Sequence, residues 1–493
     1  MTSRTLASTE RLAFTYGPGT VRGQRAIDEA LARDARPTFA TAPYAEPRDW
    51  GYVGLIAFTA VLLLRPQDQI RGLSSLHIAE ICAFIGIGPM LLHRFTRRLP
   101  VFRVTPETLG LVGFGIVILV TAPFSIWMGG AFGLFFDSYL KIVIVFVLMM
   151  NTLTTPKRVE QLTWLIVCCC GYIAARAVLD YARGVNLVED GRVAGAVSGI
   201  FGNPNDLALN MVTFMPAALM VALTRRHSAS RRLTAAIIAA LMLATVVFTK
   251  SRGGAIGMGV MLLAVLFLGR KVRPGFTAMA LGAVLLAMPF MPASFWSRMA
   301  TIADEQLDKA HYTGSSAARR QVMQEGIDAF LTFPLTGVGA GQFKNYNPPE
   351  RKERWRETHN ALIQVAAETG IFGFAVFMFL IVRGGMAAAR TRRLLSRPRK
   401  GSDPLGLVMS DDDRRSLYAL TAALTAGLCG WFTCAMFASV AYSWTFYYLL
   451  ALIVAARELA RVRLSAARAI EAERSPASVR SARFGSPRAL GLA

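Results

Sequence analysis

A chain of 493 residues with 54% hydrophobic and 17% charged side chains has too little polar surface to cover a water-soluble globule. The mean hydropathy of +0.42 points to a polytopic membrane protein. A formal net charge of +23 would suit a nucleic-acid partner, but the basic residues fall in short bursts between apolar runs and form no single stripe.

Residues 1–49 are Arg-rich and lack an apolar core, which reads as a cytoplasmic arm and not a signal peptide. A membrane-spanning helix takes about 20 mostly apolar residues. Runs at 50–64, 76–93, 107–127, 131–151, 159–180, 205–224, 233–250, 252–269, 275–291, 359–382, 416–440 and 442–460 predict an all-α integral membrane protein of about 12 transmembrane helices within residues 50–464. Lys/Arg bursts at 94–98, 157–158, 225–232, 270–273, 383–400 and beyond 457 occupy alternate connections. The positive-inside bias therefore puts both termini in the cytoplasm. The 383–415 loop and the Ser/Arg/Pro-rich tail at 465–493 read as irregular cytoplasmic segments.

Two connections on the outer side are long, 181–204 and 292–358. The second mixes acidic and basic residues almost evenly, and a loop of that length in a compact protein is usually functional. Its segment 316–331, with Ala317, Ile327 and Phe330 among polar residues, predicts a short amphipathic helix on the membrane surface.

Unusual residues concentrate on that side. Arg192 precedes Phe201-Gly202-Asn203-Pro204-Asn205-Asp206, where Asn203 is a good N-cap with Pro204 in the first helical position. Exposed amides beside an arginine could also hold an anion there. Lys250-Ser251-Arg252-Gly253-Gly254 lies at the turn between spans seven and eight and breaks the charge bias. Snorkelling to lipid headgroups is the plain reading, while the glycines permit close approach of a ligand or backbone. Gly253 and Gly257 also fit a small-residue packing face.

Arg319 and Arg320 sit on the amphipathic segment. The Gly337–Gly341 run beyond them is not preceded by a strand, so a flexible turn suits it better than a dinucleotide site. His359 and Asn360 open span ten, with Glu368 about 13 Å further into the bilayer. A helix N-terminus favours a neutral imidazole, and Glu357 opposes it. Asp137/Lys141 and Arg176/Asp180 have the spacing of internal ion pairs. Six cysteines lie in apolar runs as buried thiols, and five scattered histidines lack ligand spacing. Neither a metal nor a cofactor is expected.

Taken together, Arg192 with Phe201–Asn205, Ser251–Gly254, Arg319 before Pro334 and Gly337–Gly339, and His359-Asn360 with Glu368–Gly370 resemble the O-antigen ligase and polysaccharide polymerase superfamily of membrane glycosyltransferases. The likeness spans roughly residues 190–375; Met323 departs from it where an aromatic residue is usual. It implies a metal-independent enzyme of the bacterial inner membrane with a periplasmic active site. The donor would be a glycan on undecaprenyl pyrophosphate, and the acceptor lipid A-core or a growing polysaccharide. It further implies catalytic roles for His359, Arg252 and Arg319, and donor or glycan binding by Arg192, Asn203, Asn205, Lys250, Arg320, Asn360 and Glu368. Transfer to protein, or transport of a small anion or lipid-linked sugar, stay open as alternatives. Transport would place broken helices near the midplane.

Overall fold

The computed structural model describes residues 49–70, 78–96, 103–196, 199–224, 226–269, 288–302, 315–346, 356–396 and 403–474, with isolated positions between them. The N-terminal arm, most of the predicted span 275–291 and the end of the tail lie outside the described residues.

The helices are α1 (Trp50–Leu64), α2 (Ile78–Thr96), α3 (Pro106–Thr121), α4 (Met128–Thr152, with one π turn), α5 (Pro156–Arg183), α6 (Pro204–Leu223) and α7 (Ala229–Phe248). They continue as α8 (Arg252–Gly269), α9 (Ala293–Ala300), α10 (Ser315–Thr332), α11 (Ala361–Leu395), α12 (Asp411–Ala435) and α13 (Trp444–Arg474). Among the described residues nine helices are long and apolar enough to cross a membrane. Three spans start alike: Thr105, Thr155 and Asn203 each accept a backbone N–H from the first turn, with proline next in line. That pairing satisfies an orphan amide and presets φ for the helix.

α13 runs through the middle of the bundle, with Leu449 to Val454 wholly buried. Trp431 of α12 stacks on its Phe446 with ring centroids 4.4 Å apart. α8 packs tightly on α12 and the turn after it at the two glycines singled out in the sequence: a Cβ on Gly257 would lie 2.2 Å from Cys434 Sγ of α12, and one on Gly253 2.6 Å from that of Phe437 just beyond it.

Several expectations need correction. α11 runs on to Leu395, so the 383–415 connection begins as helix, and α13 reaches Arg474. The last two spans are parted by an irregular loop, residues 436–443. Lys141 reaches Glu80 at 2.7 Å, and Asp180 accepts from Asn186 at 2.8 Å. The 181–204 connection holds the one described sheet, an antiparallel pair β1 (Leu187–Val188) and β2 (Arg192–Val193). Its turn places Asp190 and Gly191 in the left-handed region, as tight hairpins demand.

The glycine-rich segment after α10 is not a free turn. α11 breaks at Gly370 (φ 65°, ψ −165°), and the loop fills the break. Val338 and Gly339 donate to the carbonyls of Ala367 and Glu368 at 2.8 and 2.9 Å, and Ile371 donates to Pro334 at 2.8 Å. Irregular backbone at membrane depth is tolerated when protein partners satisfy it, as here.

Candidate functional site

The β1–β2 hairpin, the α7–α8 turn, α9, α10 and the start of α11 meet at one end of the bundle. Both residues of β2 are buried, and Arg192 is one of them. Its Nε donates to Thr249 O at 3.0 Å and its Nη2 to Asn205 Oδ1 at 2.8 Å. Ser251 Oγ donates to the same Asn205 oxygen at 2.8 Å and accepts from Gly254 N at 3.2 Å, capping α8. Arg252, the first residue of α8, is thereby fixed; its Nη1 reaches Thr301 Oγ1 at 3.0 Å. Thr301 follows α9, and its hydroxyl donates to Arg298 O at 2.7 Å. Arg298, also buried, pairs with Asp190 at 2.5 Å, and Lys250 Nζ donates to Asp190 O at 2.8 Å.

α10 brings the next cation. Val322, Gly326 and Ala329 form its buried face, and Arg319 lies three residues before Val322 on that same face, half-buried. A Cβ on Gly326 would meet Ile363 Cγ2 at 2.6 Å, so α10 lies close along the start of α11. Arg320 is turned outward and exposed, as is Ile327; the packed face therefore differs from the one read off Ala317, Ile327 and Phe330.

His359 stands just before α11 with φ 50°, a left-handed conformation that costs on the order of 1 kcal/mol for a residue with a Cβ. Its amide donates to Ser439 Oγ at 2.9 Å. Asn360 is the helix cap, accepting from Leu362 N and Ile363 N at 2.9 and 3.1 Å. Burial, then the guanidiniums of Arg319, Arg356 and Arg192, lower the imidazole pKa to about 4. The ring is neutral near pH 7. Arg192 is lowered to about 10 by burial, then by Arg298 and Arg319, and it keeps its proton. These mutual effects mark Arg192, Arg252, Arg298, Arg319 and His359 as one electrostatic neighbourhood.

The structure thus brings together Arg192, Asn205, Lys250, Arg252, Arg319 and His359. Asn203 and Asn360 frame it as caps. Glu368 stands apart: its oxygens accept from Gly341 N at 2.9 Å and Phe343 N at 3.3 Å, which ties the glycine-rich loop to α11. Arg298, Asp190, Thr301 and Ser439 escaped the sequence reading. Arg298 had a faint signal, a lone cation within an apolar stretch of the 292–358 connection.

An arrangement of fixed guanidiniums around a neutral imidazole can bind a multiply charged phosphate and accept a proton beside it. A search of curated proteins gave no match. The family model described as O-antigen ligase matches residues 237–378, from within α7 to within α11, and takes in Lys250, Arg252, Arg298, Arg319 and His359. That match, on a multi-pass helical membrane protein, supports placing the chain in the O-antigen ligase superfamily.

Proposed function

We propose that the protein is a glycosyltransferase of ligase or polymerase type at the periplasmic face of a bacterial inner membrane, moving a glycan from undecaprenyl pyrophosphate to an acceptor glycan in lipopolysaccharide O-antigen or exopolysaccharide synthesis. The acceptor oxygen bonds to the anomeric carbon as the bond from that carbon to the phosphate oxygen breaks. The lipid pyrophosphate leaves with the electron pair, and the hydroxyl proton passes to His359. Arg192, Arg252 and Arg319, with Lys250, hold the diphosphate, while Arg298 is paired with Asp190; a guanidinium fork matches phosphate oxygens and keeps its charge at any working pH. Negative charge grows on the leaving group as the bond breaks, so cations already fixed there favour the transition state over the ground state.

The observation that carries this reading is a buried cationic cluster, with Arg192 and Lys250 hydrogen-bonded to neutral oxygens, next to a neutral histidine. Its test is complementation of a deletion strain. Arg252→Ala and His359→Ala are expected to abolish glycan transfer while inserting in the membrane at wild-type level. Normal glycan output from either variant would refute the assignment. Separate gels of lipopolysaccharide and exopolysaccharide from the deletion strain distinguish the two activities, since loss of capped lipopolysaccharide alone means ligation and loss of long polymer means polymerisation. For the topology, a cysteine at Gln324, on the exposed side of α10, should react with an impermeant thiol reagent in outer-membrane-permeabilised cells.

One feature favours the transport reading: α11 is broken at Gly370. The carbonyls freed by that break are taken up by Val338 and Gly339 amides instead of lining a path, and the cations gather at one end of the bundle. Both weigh toward the enzyme.

A further inference from the structure

We infer that the 436–443 loop, acting through Ser439, is the cradle that orients His359, which makes Ser439 a positioning residue for glycan transfer. This rests on the proton-accepting role proposed for His359.

The hydrogen bonds run in one direction. Thr358 Oγ1 donates its single proton to Asn360 O at 3.1 Å. In the 3.1 Å contact between the Thr358 and Ser439 hydroxyls, Ser439 is therefore the donor. Its oxygen accepts the His359 amide at 2.9 Å. The serine hydroxyl is used in both senses, closing a chain from the His359 N–H through Ser439 and Thr358 to Asn360 O. Flanking bonds hold the loop to the same turn: Asn360 Nδ2 donates to Met436 O at 3.3 Å, and Ala441 N to Gln364 Oε1 at 3.2 Å. Tyr447 of α13 in turn donates to Ala441 O at 2.8 Å. A left-handed histidine persists only where its surroundings over-determine it, and these contacts do so. The loop lies beyond the matched stretch 237–378, so the ring is aimed by a part of the chain outside that stretch.

The experiment compares Ser439→Ala, Ser439→Thr and His359→Ala in membranes of the deletion strain, with a synthetic undecaprenyl-pyrophosphate-linked oligosaccharide as donor. Ser439→Ala is expected to lower the maximal rate about 10- to 100-fold, with donor KM within about 3-fold, because misplacing a catalytic group slows the step more than it weakens binding. Ser439→Thr, which keeps the hydroxyl, should restore most of the rate. A loosened ring gains water, so the acid limb of the Ser439→Ala pH profile should move upward. In the His359→Ala background Ser439→Ala should add no further loss. An inactive His359→Ala beside a Ser439→Ala enzyme with normal maximal rate and unmoved acid limb would overturn the cradle alone. Normal transfer by His359→Ala would overturn the base assignment, and the cradle with it. Should Ser439→Ala fail to accumulate, Thr358→Val cuts the same chain from its other end and is judged by the same limb and rate.

Discussion

The two ends of the helix bundle both bury arginines, yet they use them in opposite ways. At the end away from the site, Glu107 of α3 is wholly buried and accepts both Nη atoms of Arg457 at 2.7 Å and Arg383 Nε at 2.8 Å. Glu458 takes Arg457 Nε at 2.8 Å. Carboxylates match the guanidinium forks, and the result is a clamp across α3, α11 and α13. At the site end, Arg192 and Lys250 bond to a backbone carbonyl or a side-chain amide oxygen. Neutral oxygens fix their direction, and the carboxylate nearby, Asp190, is paired with Arg298. A guanidinium satisfied by carboxylates serves the fold; one held by neutral partners keeps its field for an anion.

Glu107 carries the largest expected effect on stability. Glu107→Ala leaves Arg383 without its carboxylate and the buried Arg457 with Glu458 alone, and should cost about 3–5 kcal/mol, seen as a lower Tm in detergent. Arg192→Ala should do the reverse, sparing Tm and slowing glycan transfer about 100- to 1,000-fold. Equal Tm losses from the two variants would erase the distinction between the ends. Gly370→Ala probes the backbone behind the site: at φ 65° with Leu335 C 2.6 Å from the new Cβ, it should destabilise by about 2–4 kcal/mol in the same melt.

The pH dependence sharpens the picture. With the folded His359 pKa lowered to about 4, an unfolded chain takes up the proton first as pH falls from its ordinary value near 6.5. The contribution of His359 to stability is therefore full above that window and declines through it, while transfer stays on its plateau until pH nears the folded value. An acid limb of kcat/KM near 6.5 would mean the ring is wet and the cluster open. The smallest effect is expected at Arg320, exposed on the far side of α10 from Arg319: Arg320→Ala should change transfer less than about 2-fold.

Much of the site could be read from local sequence because it depends on local rules. Asn203-Pro204 and Asn360 announce helix starts, and Arg252 stands out as a cation that interrupts an otherwise regular charge pattern. Local pattern does not separate Arg319 from Arg320, and the resemblance alone favoured Arg319; docking of Val322, Gly326 and Ala329 against α11 decides which of them faces inward. Glu368 looked like a ligand because a carboxylate inside a span invites a function, and its partners are amides 25 and 27 residues earlier. Ser439 was hidden inside the predicted span 416–440, since hydropathy marks only a short break near 441 and not the whole loop at 436–443.

The all-α membrane character, several helix starts and the unusual residues of the 181–204 and 292–358 connections were legible in the sequence, because hydropathy and helix capping act over about 20 residues or fewer. Which cations keep their charge uncancelled, how the broken α11 is sealed and what aims His359 were decided only by tertiary structure. Each depends on a partner that local pattern cannot name, as with Arg192 and Thr249, Glu368 and Gly341, or His359 and Ser439.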